Sequence, residues 1–334
     1  MSTLVIAEIG SVHDGSFGNA LRLIDAAKES GANAVKLQTH IAEAETLRDA
    51  PMPSFFLSEP RFEYFQRTGF SVEQWQKIRR HCQEVGVLFL SSPFSEEAVD
   101  LLEQLGMEMY KVPSGEVTNT PMLDKIGRLQ KPVLLSSGMS SWAELDLAVS
   151  VIRRHHNRIT ILQCTTEYPC PYERVGLNVI SELRQRYGLP VGFSDHTATI
   201  VAPLAAVTLG ATVIEKHFAF SRKMYGSDAK NSLEPDEFAE MVSGIRAIEV
   251  ILSNPINKDD LTRLRSMKET FEKSIVAIVD IPVGTVIDSR MIAIRKPGTG
   301  ISAARFVDVL GRRTAISIAA GSVLTNADVV WEAK

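Results

Sequence analysis

Eight short apolar runs recur along the N-terminal part of this chain, each followed by a stretch patterned for an amphipathic helix. They fall at 4–8, 34–38, 87–91, 109–112, 132–136, 159–163, 190–194 and 211–215. After the first, Ala20, Leu23, Ile24 and Ala27 repeat at helical spacing, and after the third, Ser95, Glu96 and Glu97 open a helix with capping residues. Strand and helix alternating eight times over about 250 residues is the count of a closed (β/α)8 TIM barrel. The competing architecture, an open doubly wound sheet, more often carries a glycine-rich dinucleotide turn after its first strand. Ile9-Gly10-Ser11-Val12-His13 does not supply one.

The barrel is expected to span 1–253, with a Pro- and Phe-rich insertion at 40–70. Beyond Asn254-Pro255 the texture changes: 254–273 reads as a charged linker, and 274–334 as a small β-rich module with strands at 275–279 and 314–318. A module that small is expected to pack on the barrel or on a second subunit.

Composition limits what such a chain does. A net charge of -4 leaves no basic face for nucleic acid. No run reaches the roughly 18 apolar residues of a membrane span, and the N-terminus lacks a signal-peptide pattern, so a soluble, unprocessed protein is expected. The three cysteines, Cys82, Cys164 and Cys170, are too sparse for a disulfide framework and point to the cytoplasm, with a Cys164–Cys170 redox pair as the lesser alternative.

Nearly every apolar run ends in a polar residue. Around the barrel these are Glu8, Lys36 with Gln38, Ser91 with Ser92, Lys111 leading to Ser114 and Glu116, Ser136 with Ser137, Thr165 with Thr166, Ser194 with His196, and His217. The C-terminal ends of barrel strands form the active-site face, where side chains from separate strands converge. Lys36 and Lys111 at the ends of apolar strands are expected to meet an anion, or a structural glutamate. Ser92, Ser114, Ser137 and Ser194 add neutral donors, and Gly115 and Gly138 let backbone amides approach. His196 and His217 end neighbouring strands, which suits a shared divalent metal with positions left open for water or substrate. His13 is expected at the mouth or on the surface; His40, His81, His155 and His156 are expected in loops or on helices without a catalytic role. Glu8, Glu116, Glu215 and Asp228 are the candidate carboxylates, Glu215 serving as base or as ion-pair partner.

Taken together, Glu8-Ile9-Gly10, Lys36-x-Gln38, Ser91-Ser92-Pro93-Phe94, Lys111-Val112-Pro113-Ser114-Gly115-Glu116, Ser136-Ser137-Gly138-Met139, Gly192-Phe193-Ser194-Asp195-His196, Glu215-Lys216-His217-Phe218 and Ser232-Leu233-Glu234-Pro235 resemble the sialic acid synthases. These are phosphoenolpyruvate-dependent N-acylneuraminate (nonulosonate) synthases. The resemblance extends over almost the whole chain, with 274–334 similar to the family's antifreeze-like (SAF) domain. It implies that Lys36, Ser92, Lys111, Ser114, Ser137 and Ser194 bind phosphoenolpyruvate, that His196 and His217 hold Mn2+, Mg2+ or another divalent metal, and that Glu8 and Glu116 act at the reacting centre. Gln38, Tyr168 and Asp228 would meet the amino sugar. A domain-swapped homodimer is implied, with Lys296 closing the other subunit's site.

Departures from the family pattern occur at Val12, Thr166-Glu167, Ala229 and Lys296, and most fall on the sugar side. The acceptor implied is N-acetylmannosamine, its 6-phosphate, or a 6-deoxy-diacetamido hexose of the legionaminic or pseudaminic type. A metal-dependent pyruvate aldolase and a non-catalytic carbohydrate-binding protein are the competing readings.

Overall fold

The computed structural model describes residues 2–51 and 59–331. Residues 52–58, in the Pro- and Phe-rich insertion, lie outside the described residues, as do 332–334 at the end of the C-terminal module. The chain divides into two compact units, Met1–Asn254 and Pro255–Lys334.

The first unit is the expected barrel. Its strands are β1 (Leu4–Gly10), β2 (Ala34–Thr39), β3 (Leu88–Pro93), β4 (Tyr110–Val112), β5 (Val133–Ser136), β6 (Ile159–Cys164), β7 (Val191–Asp195) and β8 (Val213–His217). They run in the order β3-β2-β1-β8-β7-β6-β5-β4, with parallel ladders throughout. β3 and β4 lie side by side at the seam, where no ladder joins them among the described residues. Local chemistry starts and stops the surrounding helices. Ser71 with Gln74 and Ser141 with Glu144 close reciprocal capping boxes, and Gly86 and Gly188 end helices in the left-handed region.

Side-chain alternation along the strands builds the interior in layers. Ile6, Ala34, Leu90, Leu134, Leu162 and Val213 form an apolar plug inside the barrel, with Met109 packed against it. Gly192 occupies β7's place in that layer, because a Cβ there would lie 2.4 Å from Leu162 and 2.8 Å from Val213. Two residues further along each strand the inward position turns polar: Glu8, Lys36, Ser92, Lys111, Ser136, Cys164, Ser194 and Glu215, one from each of the eight strands. The outward residues, such as Val5, Ala7, Val35 and Leu37, pack against the helices. Full burial of each large aliphatic side chain is worth about 1.5–3 kcal/mol. The plug therefore provides a rigid floor beneath a polar ring.

The insertion contains two short helices, Ala42–Glu45 and Arg61–Thr68, which the sequence pattern did not suggest. Ala42, Phe62, Tyr64 and Phe65 give them a small core of their own. In the C-terminal unit, β9 (Ser274–Ala277) pairs antiparallel with β10 (Ile292–Arg295). The second strand expected there, at 314–318, is not a strand. Thr314 bridges Val329 while Ile318 bridges Ile281, so the run spans two partners without following either. Within the stretch expected as a linker, Arg265–Phe271 is helical. Among the described residues no helix is long and apolar enough to cross a membrane.

Candidate active site

Above the polar ring a cavity of about 530 Å³ opens at the C-terminal ends of the strands. Its floor is an ionic cluster. Lys36 Nζ lies 2.8 Å from Glu8 Oε2 and 3.8 Å from Glu215 Oε2, and donates to Ser92 Oγ at 3.0 Å. Lys111 Nζ donates to Glu215 Oε1 at 3.2 Å, and Ser194 Oγ donates to the same oxygen at 3.0 Å. All four charged side chains are almost fully buried. Of the two readings open for the lysines, the structural glutamate is therefore present for both.

The two carboxylates are not equivalent. Burial would raise Glu215, but the Lys111 and Lys36 ammoniums hold it at about 2. Glu8 is shifted upward, by burial first and by the neighbouring Glu215 charge, against the pull of Lys36. Glu8 is thus the member of the cluster disposed to exchange a proton, and Glu215 the fixed counter-charge.

His196 and His217 stand over this floor with ring centroids 5.5 Å apart. His196 lies just beyond the end of β7, and its Nδ1 donates to the Thr165 carbonyl at 2.8 Å; burial opposes its charged form, but Cys164 and that carbonyl shift its imidazole upward. His217 belongs to β8 opposite Glu8 of β1, and its Nδ1 is buried without a hydrogen-bond partner. Burial pushes the His217 imidazole down to about 4, so it is neutral near pH 7, the form that binds metals. An orphaned buried nitrogen beside a second oriented imidazole fits a divalent ion. Among the described residues no group of three His, Cys, Asp or Glu side chains could hold one. The two imidazoles would therefore leave positions for water or substrate.

Most of the other expected residues gather here as well. Gln38, Ser114, Glu116, Tyr168 and Asp228 all line the cavity. Gln38 Nε2 donates to Glu8 Oε1 at 2.8 Å, and the Tyr168 ring lies 4.1 Å from that of His196. Glu116 accepts from Asn119 at 2.8 Å, and burial raises its carboxyl. Ser92 is reached through its bond to Lys36. Ser137 turns away, donating to Gln163 at 3.2 Å, while Ser136 faces the cavity and meets Ser114 Oγ at 2.9 Å. Counting by twos from the inward Leu134 reaches Ser136, a signal available in the sequence. Lys296 belongs to the C-terminal unit, where its ammonium lies 5.0 Å from the Phe271 ring centre.

The histidines outside the pair also find places. His13 is buried against Phe70 and accepts from the Gly15 amide. His81 and His155 pair with Asp25 and Asp124, and His156 accepts from the Arg158 amide. His40 departs from expectation, because its ring lines the cavity. It is stacked between Phe65 at 3.7 Å and Phe94 at 4.1 Å, with one nitrogen on Glu45 and the other on Gln38 Oε1. Arg61 also lines the cavity, its Cζ 5.2 Å from the Phe65 ring centre. Cys164, considered from the sequence only as half of a redox pair with Cys170, lies 3.9 Å from His196 Nδ1. Burial would raise its thiol, but His196 and Lys111 bring it down to about 6. All three cysteines are free and buried.

Comparison with known proteins places this site in context. Residues 23–257 match the model of the NeuB family, and 272–330 that of the SAF domain. The chain is 37% identical over 318 residues to N,N'-diacetyllegionaminic acid synthase of Campylobacter jejuni, covering 93% of this chain and 95% of that one. It is 36% identical over 296 residues to human N-acetylneuraminate-9-phosphate synthase, covering 87% and 82%. A crystal structure of N-acetylneuraminic acid synthetase from Leptospira borgpetersenii superposes with a TM-score of 0.71 at 29% identity, covering 80% of this chain and 91% of that one.

Proposed function

Because this chain belongs to the NeuB family, we propose that it condenses phosphoenolpyruvate with the open-chain form of an N-acyl amino sugar, giving a nine-carbon 2-keto acid and phosphate. The observation that carries this reading is the polar ring with two lysines, three hydroxyls and two carboxylates directly beneath the histidine pair. The acceptor proposed is N-acetylmannosamine-like, with a 6-deoxy-diacetamido hexose as the second reading, since a legionaminic acid synthase is among the relatives.

In the reaction a bond forms between C3 of phosphoenolpyruvate and the sugar aldehyde carbon, water adds at C2, and the C2–O bond to phosphate breaks. The adding water loses both protons as its oxygen becomes the ketone; one is balanced by the proton gained at the aldehyde oxygen, which becomes a hydroxyl, and the other leaves on the released phosphate. Lys36 and Lys111 hold the donor's anionic groups, assisted by Ser92, Ser114 and Ser194, with Ser136 rather than Ser137 completing the hydroxyl set. The ionic cluster is internally balanced, so the donor's negative charge calls for further positive charge at the site. His196 and His217 would hold a divalent ion, Mn2+ or Mg2+, supplying that charge and Lewis acidity toward the aldehyde oxygen. Glu8, raised by burial, exchanges the proton at that oxygen, and Glu116 orients and deprotonates the water. Gln38, Tyr168 and Asp228 bind the acceptor. We further propose a cytoplasmic homodimer in which the partner's Lys296 completes each sugar site.

The test is phosphate release from phosphoenolpyruvate with Mn2+ and a panel of amino sugars, with mass spectrometry of the product. Turnover with at least one sugar, abolished by chelation and restored by Mn2+, is expected. Turnover with pyruvate in place of phosphoenolpyruvate would instead make it an aldolase, and sugar binding with no turnover a carbohydrate-binding protein. A narrower prediction concerns Gly138, where a Cβ would lie 2.3 Å from Thr166 Oγ1 and 2.4 Å from Ser114 Oγ. Gly138→Ala is expected to raise KM for phosphoenolpyruvate about tenfold, about 1.4 kcal/mol of binding, as steady-state kinetics would show.

A further inference from the structure

The two histidines are held in place by different means. His217 lies within the sheet, paired with Glu8, and its carbonyl accepts from the Leu233 amide. His196 follows the last residue of β7, so no ladder fixes it. Immediately before each histidine stands a charged residue facing the other way, as strand alternation requires for Lys216 between Glu215 and His217. Asp195 and Lys216 are register partners on β7 and β8, and form an ion pair of 2.5 Å with side chains 1% and 0% exposed.

This pair is connected to the turn that carries His196. Asp195 Oδ1 accepts from the Thr197 amide at 3.0 Å, and Oδ2 accepts from Thr197 Oγ1 at 2.8 Å. Lys216 Nζ also donates to the Thr197 carbonyl. The residues on both sides of His196 are thereby clamped, and the ammonium that closes the clamp comes from the residue next to His217. Neither Asp195 nor Lys216 lines the cavity. Apolar residues of similar volume often match or exceed the stability of a buried ion pair, so stability alone does not account for two charges at this place.

We propose that the Asp195–Lys216 pair is a positioning brace that sets His196 against His217 for joint binding of a divalent cation. The inference rests on the reading that the two imidazoles hold that cation. Groups that orient metal ligands from behind typically change affinity 10–100-fold when removed, and that range is expected here.

Calorimetric titration of the metal-free full-length protein with Mn2+, beside thermal unfolding of the same samples, tests the brace without recourse to activity. Lys216→Met is expected to weaken Mn2+ binding at least tenfold. Thr197→Val, which keeps the ion pair and the shape but removes the hydroxyl bonds, is expected to weaken it several-fold while folding normally. Asp195→Leu/Lys216→Met restores apolar packing, and is expected to recover unfolding temperature relative to Lys216→Met without recovering affinity. Wild-type affinity in folded Thr197→Val and in the double variant would overturn the brace and leave the metal reading standing. Failure of the wild-type protein to bind Mn2+ would overturn the metal reading, and the brace with it.

Discussion

Lys36→Met is expected to abolish measurable turnover and to destabilise the fold, because its ammonium serves three partners at once. It lies against Glu8, Glu215 and Ser92 with 3% exposure, and its loss leaves two buried carboxylates facing Lys111 alone. Breaking a buried pair from one side costs about 3–5 kcal/mol, since the remaining charge has no solvent. Loss of one anion-binding cation adds a rate defect of about a thousandfold. The stability defect carries a pH signature. Glu8 already titrates above its ordinary value, through burial and the Glu215 charge, and removing Lys36 drives it further up. A carboxyl raised in the folded state stabilises the fold while protonated, and that contribution is lost as pH rises through the raised value. Urea unfolding across pH is therefore expected to show a deficit that is smallest in acid and grows toward neutrality. A deficit independent of pH would remove Glu8 from the account.

His217→Ala is expected to behave oppositely, losing activity far more than stability. Its Nδ1 has no hydrogen bond to lose, the ring is neutral near pH 7, and the space it would vacate joins an open cavity without creating a closed void. A change in unfolding free energy of about 1 kcal/mol is anticipated, against a fall in kcat of about a thousandfold. Thermal unfolding and steady-state assays with Mn2+ present measure both quantities on one preparation. Unchanged turnover would exclude His217 from the chemistry.

Much of this site is legible along the chain because a barrel strand encodes two things locally. Its parity decides which side chains face inward, and its C-terminal end decides which of them reach the mouth. Glu8, Lys36, Lys111, Ser194 and His217 follow from those rules, and Ser136 follows from parity counted strictly from Leu134. Glu8 follows as the partner of Lys36, its register neighbour on the adjacent strand, but the sharing of Glu215 between both lysines does not, since Glu215 reaches them across the barrel interior. Nor does Arg61, which enters the cavity from the helix Arg61–Thr68 of the insertion, whereas His40 stands just past β2 and in step with Lys36 and Gln38, a signal available in the sequence.

The barrel, its polar mouth and the two histidines are written along the chain, because periodicity and element order are properties of neighbouring residues. The pairing of both lysines, the opposite shifts of Glu8 and Glu215, and the grip of Asp195 and Lys216 on the turn around His196 arise on folding. Those outcomes depend on distances between residues far apart in the chain and on how completely water is excluded between them. Closure of the barrel sets both.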